Sequence, residues 1–422
     1  MEENQAIQAG KLCKLLKYAS ENIPYYKKIV RKRGIKVRED RVFDDLKKFP
    51  ILTKVTIREH FHELYRFRDK TYYLNRSGGS TGEPVKFYQD RHYADWSLAV
   101  KLLFNEWAGC PLGTRIVKFW GSERDVFQGS QGIKGKLGSL LHNVKLINAF
   151  NISEDDIYDF LDFLKRWKPE MIVAYVEPLY EVAKFASQRG LPVYSPRSIM
   201  TSAGTLFPDF RAQIETTFRA PVFNRYGSRE VGDMACECPE HRGLHILPMT
   251  HVLEIVNSNG ETCPPGRVGE VLVTSLENFT MPFIRYKIGD LAVMSNETCP
   301  CGRGTPMLRS IEGRSTSIFI NQRGEIISPE YFIHLIGVVL NKNGLIRKFQ
   351  VVQEQVSVVI VRLVVTTRDT NILHRLFAEI KGKIQLVMGE DTIVEFELVD
   401  DIPPSPSGKF LYTISKVKHE KN

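Results

Sequence analysis

The run Leu74-Asn75-Arg76-Ser77-Gly78-Gly79-Ser80-Thr81-Gly82-Glu83-Pro84 sets three glycines and three hydroxyl side chains between two β-prone segments. Glycines let successive backbone N–H groups converge on one anion without a Cβ in the way. Ser77, Ser80 and Thr81 add neutral donors, so the chemistry on offer is phosphate binding. The spacing is not that of a P-loop, because no Gly-Lys-Ser/Thr closes it and the run is expected to join two strands rather than open a helix. An exposed hairpin turn would have the same composition. Thiols and imidazoles offer a second chemistry. They cluster in Cys236-Glu237-Cys238-Pro239-Glu240-His241-Arg242-Gly243-Leu244-His245 and again in Cys299-Pro300-Cys301-Gly302-Arg303. Such groups suit tetrahedral Zn2+ in a structural role, with unligated thiols as the plain alternative. Lys409 offers a third. It follows Gly408 in the Pro/Ser-rich run 404–409, where an ammonium charged at neutral pH can reach outward, as an ordinary solvated lysine also would.

Four further motifs follow the glycine run in order: Tyr226-Gly227-Ser228-Arg229-Glu230, Ile284-Arg285-Tyr286-Lys287-Ile288-Gly289-Asp290, Gly313-Arg314, and Pro404-Ser405-Pro406-Ser407-Gly408-Lys409. With them the chain resembles the adenylate-forming superfamily of acyl-CoA synthetases and adenylation domains, and within it the phenylacetate–CoA ligase branch with its relatives from capsule gene clusters. The resemblance runs nearly end to end. It takes in Leu15-Leu16-Lys17-Tyr18-Ala19, Asn22-Ile23-Pro24-Tyr25-Tyr26, Phe49-Pro50-Ile51-Leu52-Thr53-Lys54 and Gly243-Leu244-His245.

The resemblance implies ATP-dependent activation of a carboxylic acid as an acyl-adenylate with release of pyrophosphate. Transfer to CoA or another thiol or amine acceptor would follow. Ser77, Gly78, Gly79, Ser80, Thr81 and Gly82 would wrap the β- and γ-phosphates. Tyr226 would lie on the adenine ring, Asp290 would accept from the ribose hydroxyls, and Gly227, Ser228 and Arg314 would join the ATP site. Glu230 would help hold Mg2+. Thr201-Ser202-Ala203-Gly204-Thr205 matches the adenine-contacting loop, where Gly-Ala-Glu-Pro is common; here Gly204 and Thr205 replace the Glu-Pro. Lys409 would bridge the substrate carboxylate and the α-phosphate in one orientation of a mobile C-terminal domain. Thr316 or Ser317 occupies the hinge position usually held by Asp or Lys. In parts of this branch a Cys…Gly-x-His followed by Cys-x-Cys-Gly-Arg recurs, which implies Cys238, His245, Cys299 and Cys301 as the zinc set, with His241 and Cys236 in reserve.

Elements must position these groups. Apolar periodicity predicts helices within 5–33, then strands at 115–119, 144–147, 171–175, 198–202 and 222–225 alternating with helices such as 157–167 and 178–189. That alternation implies an α/β fold of helix-covered, mostly parallel sheets. From His251 the texture turns β-rich, with strands expected at 253–257, 270–274 and 282–287. After Arg314 a small α/β unit follows, with helices at 329–340 and 371–385. The expected domains are therefore 1–314, carrying the ATP, acid and zinc sites, and 315–422, carrying Lys409.

The 422 residues are 43% hydrophobic and 25% charged, an ordinary globular balance. No long apolar run or signal-like N-terminus appears, which predicts a soluble cytoplasmic protein without membrane insertion. Seven cysteines without a signal peptide argue against a disulfide framework. The net charge of +9 gathers around Lys27–Arg38 and the C-terminus. It suits solvated helix faces or phosphate-rich ligands, and it raises the alternative of a zinc-containing nucleic-acid-binding protein. That alternative lacks a groove-reading helix or aromatic RNA-binding signature. A non-catalytic adenylate-binding homologue is the third reading, opposed by the presence of Lys409. The identity of the acid and the oligomeric state, a dimer included, stay open.

Overall fold

The computed structural model describes residues 2–67, 70–77, 85–120, 143–149, 153–314, 319–324, 326–327, 331–332, 335–336, 340, 344–403 and 410–417. Helix α1 (Glu2–Asn22) stops at Ile23, because that residue precedes Pro24 and is held extended at φ −96°. Pro24 then opens α2 (Pro24–Arg33), which ends at the left-handed Gly34. Short α3 (Val42–Leu46) and α4 (Lys54–Glu59) lead to the antiparallel pair β1 (Tyr72–Arg76) and β2 (Lys86–Asp90). Asp90 caps α5 (Arg91–Trp107): one carboxylate oxygen accepts from Tyr93 N–H, and the other reaches the Thr280 N–H.

The main sheet has eleven strands. Its parallel half contains β3 (Ile116–Trp120), β4 (Val144–Asn148), β5 (Met171–Tyr175), β6 (Ser198–Ser202) and β7 (Val222–Ser228), interleaved with α6 (Glu154–Trp167), α7 (Val176–Gln188) and α8 (Pro208–Phe218). The central strands β5 and β6 are buried along their whole length because both faces are covered, whereas the edge strand β4 exposes Lys145 and Leu146. On one face Ile157, Phe160, Leu179, Val182, Ile214 and Phe218 pack on Val117, Phe119, Ile172 and Ile199. On the other, Val100 and Phe104 of α5 pack on Met171, Val173, Met200 and Phe223. Truncating a fully packed ring such as Phe160 to alanine is worth about 3–5 kcal/mol.

At β7 the pairing changes. Its first residues lie parallel to β6, whereas from Arg225 it runs antiparallel to β8 (Gly232–Glu237). Next in sequence come β9 (Leu244–Ile246), β10 (His251–Val256), β11 (Val268–Ser275), β12 (Tyr286–Met294) and β13 (Met307–Arg314), and the spatial order is β10-β11-β12-β13-β9-β8-β7-β6-β5-β3-β4. The parallel sheet and the β-rich region expected from sequence are thus one continuous surface. The strand expected at 282–287 begins only at Tyr286, because Arg285 adopts φ 52°, a left-handed conformation that an extended strand cannot absorb. Arg285 is held there by Glu254 and by the carbonyls of Lys47 and Phe49.

The described residues form two compact units, Met1–Ile311 and Glu312–Asn422. This division falls within β13, between Ile311 and Glu312, whereas the boundary expected from sequence lies after Arg314 at the end of that strand. The second unit holds the pair β14 (Phe319–Ile320) and β15 (Ile326–Ile327), and a four-stranded sheet of β16 (Ile346–Gln355), β17 (Val358–Val365), β18 (Ile393–Leu398) and β19 (Thr413–Ser415) in the order β18-β17-β16-β19. Helix α9 (Thr370–Met388) buries Leu373, Leu376, Ile380, Ile384 and Met388. The helix expected at 329–340 and the hinge residues Thr316 and Ser317 lie largely or wholly outside the described residues.

Candidate active site and cysteine–histidine cluster

The glycine run is closed at its base by Ser77 and Val85. The Ser77 N–H donates to the Val85 carbonyl at 2.9 Å, and the Ser77 Oγ accepts from the Val85 N–H at 2.9 Å. Buried Ser77 therefore ties off the hairpin that carries the loop. Gly78, Gly79, Ser80, Thr81 and Gly82 lie outside the described residues, as does Lys409.

The structure brings the remaining motifs of the first unit together. Tyr226, buried on β7, donates its hydroxyl to Asp290 Oδ2 on β12 at 2.9 Å. Gly227 sits where β7 slips register. A Cβ there would stand 2.7 Å from both Asp233 Oδ1 and the Gly232 carbonyl, which only glycine tolerates. Ser228 Oγ accepts from the Val231 N–H, tightening the turn that presents Glu230. The Glu230 carboxylate accepts from the Tyr286 hydroxyl at 3.3 Å.

Gln89 on β2 donates its amide N–H to the carbonyls of Arg229 and Glu230, and its Oε1 accepts from Asn75 on β1. One buried side chain thus bolts the hairpin of the glycine run to the Tyr-Gly-Ser-Arg-Glu turn. Gln89 carries no motif signal in the sequence. Ser202 ends β6, and Ala203, at φ 68°, and Gly204 follow it. Arg314 is the last residue of β13.

Strand order marks a candidate ligand position independently. β3 neighbours β4 on one side and β5 on the other, and β5 leads on to β6, so the order reverses between β3 and β5. Ligands of open parallel sheets bind outside the carboxyl ends of strands at such a point. Those ends here are Trp120 and Tyr175, whose ring centroids are 4.1 Å apart, followed by Glu177 in the first turn of α7. Trp120 and Glu177 escape sequence reasoning, since neither belongs to a recognisable spacing.

The second cluster is Cys238, His245, Cys299 and Cys301, whose ligand atoms all lie within 4.8 Å of one another. Cys238 Sγ is 3.6 Å from Cys299 Sγ, and Cys301 Sγ is 3.4 Å from His245 Nε2. Zinc at about 2.3 Å from sulfur and 2.1 Å from nitrogen gives tetrahedral edges of roughly 3.7 Å and 3.6 Å, so the donor set fits that ion. Thr305 Oγ1 lies 2.8 Å from His245 Nδ1, which leaves Nε2 to face the thiols. Burial, with Arg303 nearby, lowers the His245 pKa to about 4, so the imidazole is neutral. Burial pushes Cys238 up to about 12. It also pushes on Cys301, but hydrogen bonds from Arg303 and the neighbouring thiols outweigh it and leave that thiol below its usual value.

The cluster joins the end of β8, strand β9 and the turn before β13. Asn4 of α1 donates to the carbonyls of Arg303 and Gly304, and Arg303 lies over the Trp107 ring. The reserve residues stand apart. His241 pairs with Glu237 at 3.1 Å, and Cys236 is buried under α5.

Comparison with known proteins follows the same lines. The family model of the CapK C-terminal domain matches residues 319–416. Over 405 residues the chain is 25% identical to Protein CapK of Staphylococcus aureus, covering 95% of this chain and 87% of that protein. It is 26% identical over 330 residues to phenylacetate–coenzyme A ligase of Thermus thermophilus, covering 76% and 72%. Among solved structures, 2-hydroxyisobutyryl-CoA ligase in the postadenylation state superposes with a TM-score of 0.76 at 20% identity, covering 99% of this chain and 90% of that one. O-succinylbenzoate coenzyme A synthetase of Bacillus subtilis, in complex with ATP and magnesium, superposes at 0.55 and 17%, covering 81% and 68%. At these identities the structural likeness speaks for the fold.

Proposed function

The chain belongs to the adenylate-forming superfamily, in the branch of the phenylacetate–CoA ligases and CapK, and from that premise we propose that it is an AMP-forming ligase of a small carboxylic acid. In the first step a carboxylate oxygen attacks the α-phosphorus of ATP, the bond to the bridging oxygen breaks, and pyrophosphate leaves. In the second, CoA or another thiol or amine attacks the acyl carbonyl, AMP departs with the bonding pair, and the nucleophile's proton passes to solvent. The observation that carries this reading is the 2.9 Å bond between Tyr226 and Asp290, because it unites two motifs 64 residues apart as an aromatic face and an adjoining carboxylate. A nucleoside asks for that pair: a flat apolar surface for the base and an acceptor for its ribose hydroxyls.

Serving the phosphates falls to residues 77–82, on the hairpin that Gln89 anchors to the Glu230 turn. Arg314 joins the ATP site in this reading. Glu230 is a hard oxygen donor suited to Mg2+, which when bound offsets charge on the phosphate oxygens. Lys409 is the proposed cation at the reacting α-phosphate. Cys238, His245, Cys299 and Cys301 are the proposed structural zinc ligands, away from the chemistry. The seven cysteines, none of them in a disulfide, support a cytoplasmic site of action; among the described residues no helix is long and apolar enough to cross a membrane. The nucleic-acid-binding alternative gains nothing, since three of the seven cysteines gather with His245 into one cluster rather than framing a groove-reading helix.

A panel of carboxylic acids in a pyrophosphate-release assay tests the proposal, followed by mass spectrometry of the products formed with CoA and with amine acceptors. Acid-dependent pyrophosphate release is expected. Its absence across aryl and small aliphatic acids, in protein that binds no nucleotide, would overturn the reading.

A further inference from the structure

The turn that presents Glu230 is tied by Gln89 and Ser228, and also by a residue that no motif includes. His251, the buried first residue of β10, sets its Nε2 2.7 Å from the carbonyl oxygen of Val231, the residue directly after Glu230. A carbonyl only accepts, so Nε2 carries the proton, and Nδ1 accepts from the Thr250 hydroxyl at 2.9 Å. Burial lowers the His251 pKa to about 4, so the ring is neutral and its one N–H goes to Val231. The backbone gives the ring a fixed base. The N–H groups of Thr250 and His251 donate to the Leu247 carbonyl, and Gln8 of α1 donates to the His251 carbonyl at 2.7 Å. Val231 is thereby held at both ends, its N–H by Ser228 and its carbonyl by His251. Packing alone does not fix it, because a small cavity lined by Tyr93, Trp96, Ser97, Val231 and Gly232 lies beside the imidazole and gives the turn room to shift.

From this geometry we infer that His251 is a positioning residue: its N–H to the Val231 carbonyl holds the turn in the orientation that presents the Glu230 carboxylate to Mg2+. The inference rests on the proposed nucleotide site, in which Glu230 is an oxygen donor to that ion. His251 acts through the backbone of the turn. Its effect is therefore confined to what Glu230 serves, the metal-bound phosphates, while the base and ribose meet Tyr226 and Asp290 without it.

Calorimetry on the full chain tests this by comparing ATP, with and without Mg2+, against AMP, which has no β- or γ-phosphate. The parent protein should bind ATP more tightly when Mg2+ is present. His251→Leu should cut that Mg2+-dependent gain by roughly three- to tenfold, the range of one buried hydrogen bond, while the affinity for AMP stays within about twofold of the parent's. His251→Gln, which keeps an N–H donor at the end of the side chain, should recover most of the gain. If His251→Leu fails to fold, Thr250→Val decides the matter, since it removes the donor that orients the ring and should lower the Mg2+ gain by about twofold or more. A gain equal to the parent's in the deciding variant, a loss shared equally by AMP, or a parent that gains nothing from Mg2+ overturns the inference while leaving the ligase reading standing. Failure of the parent to bind either nucleotide would overturn both.

Discussion

Asp290 does two things at once: it accepts the Tyr226 hydroxyl and, in the proposed site, the ribose hydroxyls. Because a carboxylate has two oxygens and about four lone-pair directions, the first contact leaves room for the second. Asp290→Ala should therefore lower kcat/KM for ATP by one to two decades, from about 1.5–3 kcal/mol of lost charge-assisted bonding, with little change in the KM of the acid. Steady-state kinetics with each substrate varied in turn checks this. An unaltered ATP dependence in a folded variant would remove Asp290 from the nucleotide site. Glu237 makes a different kind of contribution. Burial pushes its pKa up, but His241, Arg211 and the Asn224 N–H together outweigh that and hold it below the usual range. A folded-state pKa below the unfolded one contributes stability that is present above the unfolded value and lost as pH falls through the folded one. Glu237→Gln should cost about 1–3 kcal/mol near neutrality, and the deficit should shrink below about pH 4. Urea unfolding of both proteins across the acid range measures it, and a deficit independent of pH would count against the ion-pair explanation.

Among the elements, the cysteine–histidine cluster and the Glu237–Arg211 pair both fasten the end of β8, through the consecutive residues Glu237 and Cys238. Arg211 belongs to α8 and meets Glu237 at 2.6 Å, tying the helix layer to β8. Cys299 and Cys301 bring the turn before β13 against Cys238 and His245. Chelation should release about one zinc per chain and lower the Tm, because a closed structural site contributes its binding free energy to folding. Cys301→Ser should reproduce the loss. Metal analysis of fresh protein showing far less than one equivalent would dispose of the zinc assignment. Gln89 has a comparable role, where one amide holds the hairpin of the glycine run to the turn carrying the proposed Mg2+ ligand.

For the molecule as a whole, the division into Met1–Ile311 and Glu312–Asn422 places the nucleotide motifs up to Asp290 in one unit and Lys409 in the sequence of the other. We propose that Lys409 serves the first half-reaction alone. Lys409→Ala should then slow adenylate formation by roughly two to three decades, as expected for one cation worth ~3–4 kcal/mol at the reacting phosphate. Acyl transfer from a supplied adenylate should proceed near the parent rate. Measuring the half-reactions separately tests both parts. Adenylation at the parent rate would reduce Lys409 to a surface lysine, and equal failure of both steps in folded protein would rule out a role confined to one.

The sequence alone determined what is local in the chain. Tyr226 to Glu230 and Ile284 to Asp290 are contiguous, so their chemistry shows as spacing, and the alternation of strands and helices from 115 to 225 marks a parallel sheet because both faces of each strand must be apolar. The cysteine–histidine set was legible because the resemblance implied it and its members fall in two short motifs, and the structure brings those four side chains together. What only the tertiary structure decided concerns partners that no spacing links. Gln89 reaches a turn 140 residues away, Trp120 and Tyr175 meet only because β3 and β5 pair, and Glu177 fills the space of a side chain that Gly204 does not have. Strand order also set where the reversal between β3 and β5 lies, and the left-handed Arg285 delayed a strand that its residues would otherwise have begun earlier. Each of these depends on which elements pack side by side. That is settled by burial of whole faces, a property of the assembled sheet that no short window of residues contains.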